Sequence, residues 1–340
     1  EQHESDWDPR AEAVLRDQRA AYDEMREQCP VAYSEFMQWS LFRHQDVVRA
    51  LHDPGTFSNA VSQHLNVPAG MDPPEHTAYR RLIDPYFAPA RMEAFEPVCR
   101  EIIADLLNDA LARGEIDLMS EVAVPFAVRA QCAFLGWPPE LREPLADWTR
   151  RNYEATLAQN RPAMSEIARE FEGFIDDLLE TLRRAGAEPT ENVTMSLMRE
   201  KVWDRPLSNE EISSILRTWT VGEIGSIASA VGILAQYLAA HDALQKQLRH
   251  EPSRLPEAID EILRIHGPLV SSRRVTKCPV SVGGRRIGTG ERVSLNWVAA
   301  NRDGRTFEEP DAFRWGRDPS RNLLYGAGIH VCPGAPLARM

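Results

Sequence analysis

The sequence predicts a mainly α-helical protein with small β-sheets: long stretches repeat their apolar residues at the helical period, and only the segment after Gly267 breaks into short strand-like pieces. Glu96 to Arg113 gathers Ile102, Ile103, Leu106, Leu107 and Leu111 on one face before a stop at Gly114. Met164 to Ala185 repeats the design with Phe171, Phe174, Ile175, Leu178 and Leu182. The best-marked helix opens at Ser208, which has capping-box spacing to Glu211, and keeps its period to about Ala240. At about 1.5 Å per residue its ~32 residues reach roughly 48 Å, enough to cross a domain, so its centre is expected to be buried. Leu255 to Ile265 forms a further helix that stops before Gly267-Pro268. Strands follow at Arg273 to Cys278, at Val280 to Val282 before a Gly283-Gly284 turn, and at Arg292 to Trp297. Residues 301 to 327 read as irregular coil, a length that is uncommon unless the coil has a task. No repeat, low-complexity run or Gly/Ser linker divides residues 1–340, which predicts a single domain.

With 340 residues, 43% of them hydrophobic and 26% charged, the chain can bury a large core. A formal charge of -12 and a pI near 5.3 argue against nucleic acid as a partner and leave small molecules or proteins. Residues 1 to 30 are charged throughout and carry no secretory signal. The most apolar stretch, Val221 to Ala240, contains Glu223, Gln236, two serines and three glycines, a poor membrane span, so a cytoplasmic protein without a membrane partner is expected. Cys29, Cys99, Cys132, Cys278 and Cys332 are odd in number and scattered, which argues against a disulfide framework.

Cys332 needs a separate account. It lies in the run Tyr325-Gly326-Ala327-Gly328-Ile329-His330-Val331-Cys332-Pro333-Gly334, after which Ala335 to Met340 reads as a helix start. Such a glycine-bearing loop delivers a thiol to a helix N-terminus, where the dipole and the N–H groups favour thiolate. Pro333 suits the first helical position, and Gly334 lets backbone approach the sulfur. A cysteine taken at random is more often a small buried residue. Here the neighbours decide otherwise, because the segment resembles the haem-ligand loop of the cytochrome P450 family, Phe-Gly-x-Gly-x-His/Arg-x-Cys-x-Gly, at every fixed position except Tyr325 for Phe.

The resemblance continues in order along almost the whole chain. It implies the P450 fold, one triangular haem-enclosing domain, with haem b as cofactor, Cys332 as the metal ligand, and Tyr325, Gly326, His330 and Gly334 around it. Glu261-Ile262-Leu263-Arg264 resembles the family's Glu-x-x-Arg motif, and Arg317, fifteen residues before Cys332, matches the third member of that ion network. Out of context such a pair would be a solvated surface bridge. His76-Thr77-Ala78-Tyr79-Arg80 resembles the His-x-x-x-Arg helix, whose spacing sets both donors on one face to meet the haem propionates. Arg273 resembles the family's strand arginine, and with His330 this makes four expected propionate contacts.

The long central helix departs from the pattern. Laid on Gly222 to Ser226, the family's Ala/Gly-Gly-x-Asp/Glu-Thr puts Gly225 at the acid position and Ser226 at the alcohol position, so the usual carboxylate is absent. Cleaving dioxygen needs delivered protons, and acid, alcohol and water form the usual relay. Glu223 lies about 200° round the helix from the acid position and does not replace it from the same face. Proton delivery is therefore expected through Ser226 and water, with freer use of hydrogen peroxide. The implied substrate pocket draws on Val61, Leu65 and Val67, on Val221, Gly222 and Ile224, and on Pro268, Leu269 and Val270, and suits a small or medium hydrophobic molecule.

The implied reaction inserts one oxygen atom from O2 into such a molecule, by hydroxylation or oxidative demethylation, with electrons from NAD(P)H. No flavin, iron–sulfur or dinucleotide fingerprint is present in the chain, so a ferredoxin or flavodoxin-type donor and its reductase are expected, with Arg81, Arg91 and Arg339 as contacts. A peroxide-driven peroxygenase is the first alternative, and a non-enzymatic haem sensor or carrier-docking haem protein the second. Family members continue past the position of Met340, so the chain is expected to lack the C-terminal section of the fold.

Overall fold

The structure is a computed structural model that describes residues 3–158, 160–185 and 192–340. The chain divides into two compact units, one made of Glu1–Gln63, Gly70–Pro73 and Ile233–Cys332, the other of His64–Ala69, Pro74–Gly232 and Pro333–Met340. The first unit opens with α1 (Glu12–Arg16), α2 (Gln18–Gln28), β1 (Val31–Ser34), β2 (Gln38–Leu41), α3 (His44–Leu51) and β3 (Phe57–Ser58). The second supplies α4 (Glu75–Ile83), α5 (Pro89–Leu111), α6 (Val124–Leu135), α7 (Arg142–Leu157), α8 (Arg161–Ala185), α9 (Val193–Leu197), β4 (Lys201–Val202) and β5 (Arg205–Pro206). Helix α10 (Asn209–Ala240) counts with the second unit up to Gly232 and with the first from Ile233. The first unit resumes with α11 (Asp242–His250), α12 (Leu255–His266), β6 (Ser271–Thr276), β7 (Val280–Val282), β8 (Arg285–Ile287), β9 (Arg292–Asn296) and α13 (Trp297–Ala300), and α14 (Ala335–Arg339) falls in the second.

A five-stranded sheet in the order β1-β2-β9-β6-β3 organises the first unit. Only β2 and β9 run parallel; the other neighbours are antiparallel. Strand alternation sends Val31, Trp39, Leu41, Val293 and Leu295 to one face, where they bury against Val47 and Leu51 of α3, Phe57, Trp297 and Leu323. Ala32 turns to the other face and packs with Tyr22, Phe42, Val298 and Ala299. Both faces are covered, and β9 is accordingly buried from Val293 to Asn296. The expected strand pieces are all present within two residues of their predicted ends.

In the second unit α5 packs on α6 and α7 on α8, around aromatic contacts such as Phe87 against Trp219 of α10, 5.1 Å between centroids and edge-on. The helix predicted from Glu96 begins earlier, at Pro89, and Pro97 lies inside it without ending it. Packing of the α5 face on α6 overrides the single N–H that proline removes.

Helix α10 starts as its capping box predicts. The Ser208 N–H donates to Glu211 Oε2 at 2.8 Å, and the Glu211 N–H donates back to Ser208 Oγ at 3.2 Å. Its burial differs from expectation, because the continuous buried run lies in the first half, Glu211 to Leu216 with Trp219 and Thr220, while Val221, Gly222 and Gly225 near the centre are exposed. Among the described residues α10 is the one helix long and apolar enough to cross a membrane. Its first half carries the buried polar residues Glu211, Ser213 and Ser214.

Candidate active site

The Cys332 loop is built by its glycines and its backbone. Gly326 and Gly328 both take left-handed φ, 71° and 69°, which L side chains rarely adopt. The Cys332 N–H donates to the Tyr325 carbonyl at 2.9 Å, closing the loop, and the Gly326 N–H donates to the Leu323 carbonyl at 2.9 Å. Leu323 belongs to the buried cluster on the sheet, and Ala327 packs against it. Cys332 itself is exposed at the end of this rigid segment, and His330 is half-buried. The helix that follows starts at Ala335, as expected, but Pro333 is not its first residue: Pro333 and Gly334 form a turn, Gly334 is the N-cap of α14, and Pro336 takes a place in the first turn.

Residues 301–327 have the task that their length implies. Arg264, 1% exposed, forks onto both oxygens of Glu261 at 2.8 and 2.9 Å and donates from its remaining terminal nitrogen to the carbonyls of Asn301 and Pro310. Arg317 reaches the same Glu261 at 2.6 Å and donates to the carbonyls of Glu308, Glu309 and Ala312. Two arginines, both held by Glu261, thus satisfy five backbone carbonyls of a coil that has no ladder of its own. Asn301 adds an acceptor for the Leu323 N–H at 2.8 Å, which carries the brace to the foot of the Cys332 loop.

The strand arginine expected at 273 has a neighbour, Arg274, that takes a different place on β6. On β6, Arg274 pairs with Val293 and Arg273 with Ser294, so the two side chains leave opposite faces of the sheet. Arg274 shares the face of Val293 and Leu295, the face against which Leu323 and Ala327 of the cysteine segment pack, and is 5% exposed. Arg273 is exposed on the other face near Arg292. Burial brings the Arg274 pKa down to about 10, and Asp72 offsets this only in part. Among the described residues no carboxylate stands within salt-bridge distance of Arg274; its donors reach Ser272 Oγ and the Arg273 carbonyl.

In the second unit His76 is 3% exposed on α4, and Arg80, one turn on, donates to Asp84 at 2.7 Å. Between them Tyr79 donates its hydroxyl to Glu211 at the start of α10, and Arg205 forks onto the same carboxylate at 2.7 and 2.8 Å. Arg205, followed by burial working in the opposite sense and then Tyr79, holds the Glu211 pKa down to about 2. This clamp fixes α4 and was not read from the sequence. Arg205 is delivered by the β4–β5 hairpin, whose turn residues Trp203 and Asp204 both have positive φ, 49° and 62°, without a glycine.

At the centre of α10 a Cβ added to Gly222 or Gly225 would meet nothing within 4 Å. Ser226 donates its hydroxyl to the Gly222 carbonyl one turn back. Glu223 is half-buried, and burial pushes its pKa up to about 8. The pocket candidates Val221 and Gly222 belong to this unit, whereas Pro268, Leu269 and Val270 follow α12 in the first, with Leu269 and Val270 exposed. Of the other aliphatic candidates, Val67 is fully buried, with its N–H held by Ser214 at 2.9 Å. Arg81, Arg91 and Arg339 are exposed on the second unit, Arg91 lying 4.8 Å over the Tyr86 ring.

This donor set fits a haem. An exposed sulfur on a rigid loop suits iron, and a buried cation on the same sheet face, without a carboxylate partner of its own, suits a propionate.

A family model described as Cytochrome P450 matches residues 153–340. The cyclomarin C epoxidase of Salinispora arenicola is 30% identical over 332 residues, 93% of this chain and 84% of that protein. The vitamin D(3) 25-hydroxylase of Pseudonocardia autotrophica is 32% identical over 340 residues, 94% of this chain and 82% of that protein. The crystal structure of CYP109E1 from Bacillus megaterium in complex with testosterone superposes with a TM-score of 0.82 at 27% identity, covering 98% of this chain and 88% of that one.

Proposed function

The chain belongs to the cytochrome P450 family and is an oxidoreductase that acts on hydrophobic substrates; from that premise we propose that it inserts one oxygen atom from O2 into a small or medium hydrophobic molecule, by hydroxylation or oxidative demethylation. The observation that carries this reading is the Cys332 loop, closed by the Tyr325 carbonyl and fixed by Gly326 and Gly328. Haem b bound through the Cys332 thiolate supplies the oxidising chemistry.

The protein residues supply position and surroundings. Arg274, His330, His76 and Arg80 are the donors for the propionates, Arg273 being turned away. Val221, Gly222, Pro268, Leu269 and Val270 offer apolar or side-chain-free surface from which a hydrophobic substrate displaces water. Ser226 holds a transferable proton on its hydroxyl, with Gly222 as its present acceptor. Because Gly225 brings no acid to this relay, hydrogen peroxide as oxidant is the second reading. Electrons are expected from NAD(P)H through a ferredoxin or flavodoxin-type donor and its reductase, with Arg81, Arg91 and Arg339 as the docking cations, in the cytoplasm. The vitamin D(3) 25-hydroxylase and the testosterone-bound relative support a hydrophobic substrate.

The test is spectral. Purified protein is expected to bind haem and to give, when reduced under carbon monoxide, the Soret band of thiolate ligation, which Cys332→Ala abolishes. Retention of that band in the variant would overturn the assignment. Turnover with surrogate redox partners, compared with peroxide, then separates the two readings.

A further inference from the structure

Glu223 is a carboxylate that the chain leaves without a counter-ion. Among the described residues it has no salt bridge and no hydrogen bond. Burial alone accounts for its altered acidity, and no cation offsets that effect. The group on which its charge acts is Cys99 of α5, which Glu96 also influences, so the neighbourhood is acidic and not basic. Yet neither oxygen is sealed: the buried polar atoms that lack partners include Trp219 Nε1, Gln131 Oε1 and Ser213 Oγ, and not the Glu223 oxygens. The carboxylate is thus enclosed by protein and still reachable by a ligand.

Its place on α10 gives that reachability a direction. Glu223 precedes Ser226 by three residues, which puts the two within about 60° of one another on the helix surface. It also stands between Gly222 and Gly225, where the backbone is bare and an added Cβ would meet nothing within 4 Å. Val221, beside Gly222, is 41% exposed. An enclosed carboxylate flanked by bare helix and aliphatic surface is costly to ionise alone, and a cation arriving with an apolar body removes that cost.

We propose that Glu223 anchors a cationic nitrogen, a protonated or quaternary amine, on the hydrophobic substrate. The inference rests on the reading that the centre of α10 lines the substrate pocket. When such a cation binds, the carboxyl proton is released to solvent and the carboxylate and ammonium pair in a water-poor setting, where the attraction is far stronger than at the surface. The substrate class is then narrower than hydrophobic molecules in general: it has an apolar body with one basic or quaternary nitrogen, and anionic substrates are excluded by like charge.

Two probes of one shape test this, benzyltrimethylammonium and its uncharged carbon isostere neopentylbenzene; the quaternary nitrogen cannot ligate iron. Affinities are measured by calorimetry on the haem-loaded protein, in buffer alkaline enough to ionise the carboxyl. Wild type is expected to prefer the cation by about tenfold or more, Glu223→Gln to lose that preference, and Glu223→Asp to recover part of it. Equal affinities in wild type, or a preference that survives in Glu223→Gln, would overturn the inference. If neither preference nor difference is found while neutral hydrophobic molecules are still oxidised, this inference alone falls. Absence of haem from the purified protein would instead remove the wider reading.

Discussion

Gly328 lies directly against the backbone of Leu51: a Cβ built on it would stand 3.1 Å from the Leu51 carbonyl carbon and closer still to the oxygen. The left-handed φ at Gly328 and this contact act together, so the turn before Cys332 is seated on the C-terminal end of α3 by backbone against backbone. Gly328→Ala is therefore expected to cost about 2–4 kcal/mol, from overpacking plus left-handed strain, and to lower haem retention during purification. Thermal melting and the haem-to-protein absorbance ratio measure it. Gly326→Ala has more room, about 4 Å to the Trp297 ring, and is expected to lose less.

Removing one partner of the buried Glu261–Arg264 pair leaves an uncompensated charge. Arg264→Met is expected to destabilise by about 3–5 kcal/mol, and Arg317→Met, at the more open end of the same network, by less. Denaturant unfolding compares the two. Equal losses would mean that the fork of Arg264 on Glu261 has no special role.

The two arginines of β6 are expected to behave oppositely. Arg274→Leu should weaken haem binding by about tenfold or more, since it removes a buried cation suited to a carboxylate, whereas Arg273→Leu should leave it near wild type. Transfer of haem to an excess of a scavenging apoprotein reports the difference as a rate.

Acid stability follows from Glu211. Its carboxyl titrates near 4.5 when unfolded and about 2 in the fold, so the unfolded chain takes up the proton first. The stabilisation is fully present above about pH 4.5 and is lost as the pH falls towards about 2. Glu211→Gln should flatten this limb of the stability profile and loosen α4, seen as faster hydrogen exchange around His76. A variant with an unchanged acid limb would show that the Tyr79 and Arg205 bonds do not govern it.

The oxygen-side relay can be rebuilt. Gly225→Asp combined with Ser226→Thr is expected to raise electron-driven turnover relative to peroxide-driven turnover by roughly tenfold or more, because a positioned acid restores proton delivery. A Cβ added at Gly225 would meet nothing within 4 Å. An unchanged ratio removes the second reading's rationale.

What could be read from sequence was whatever fixed spacing or local chemistry specifies. The Ser208–Glu211 cap, the end of α12 at Gly267, and the trio Glu261, Arg264 and Arg317 are of that kind, and all three appear in the structure. What could not be read depends on partners far along the chain. Choosing between Arg273 and Arg274 needs the register of β6 on β9, which no local pattern states. Tyr79 meets Glu211 across 132 residues, and the turn at Trp203–Asp204 contradicts local preference because the Arg205 fork holds it in place. Burial along α10 also followed its neighbours and not its own midpoint.

The bracing of residues 301–327 sets an order of assembly. Glu261 and Arg317 are 56 residues apart in sequence, and the last part of that interval, from residue 301 on, is coil with few bonds of its own. Closing so long a segment is entropically unfavourable until its anchor exists, so α12 has to be in place before the coil can settle. The loop that carries Cys332 follows this coil in the chain and hangs on it through Asn301 and Leu323, so a weakened brace is expected to displace the thiol before it disturbs the sheet.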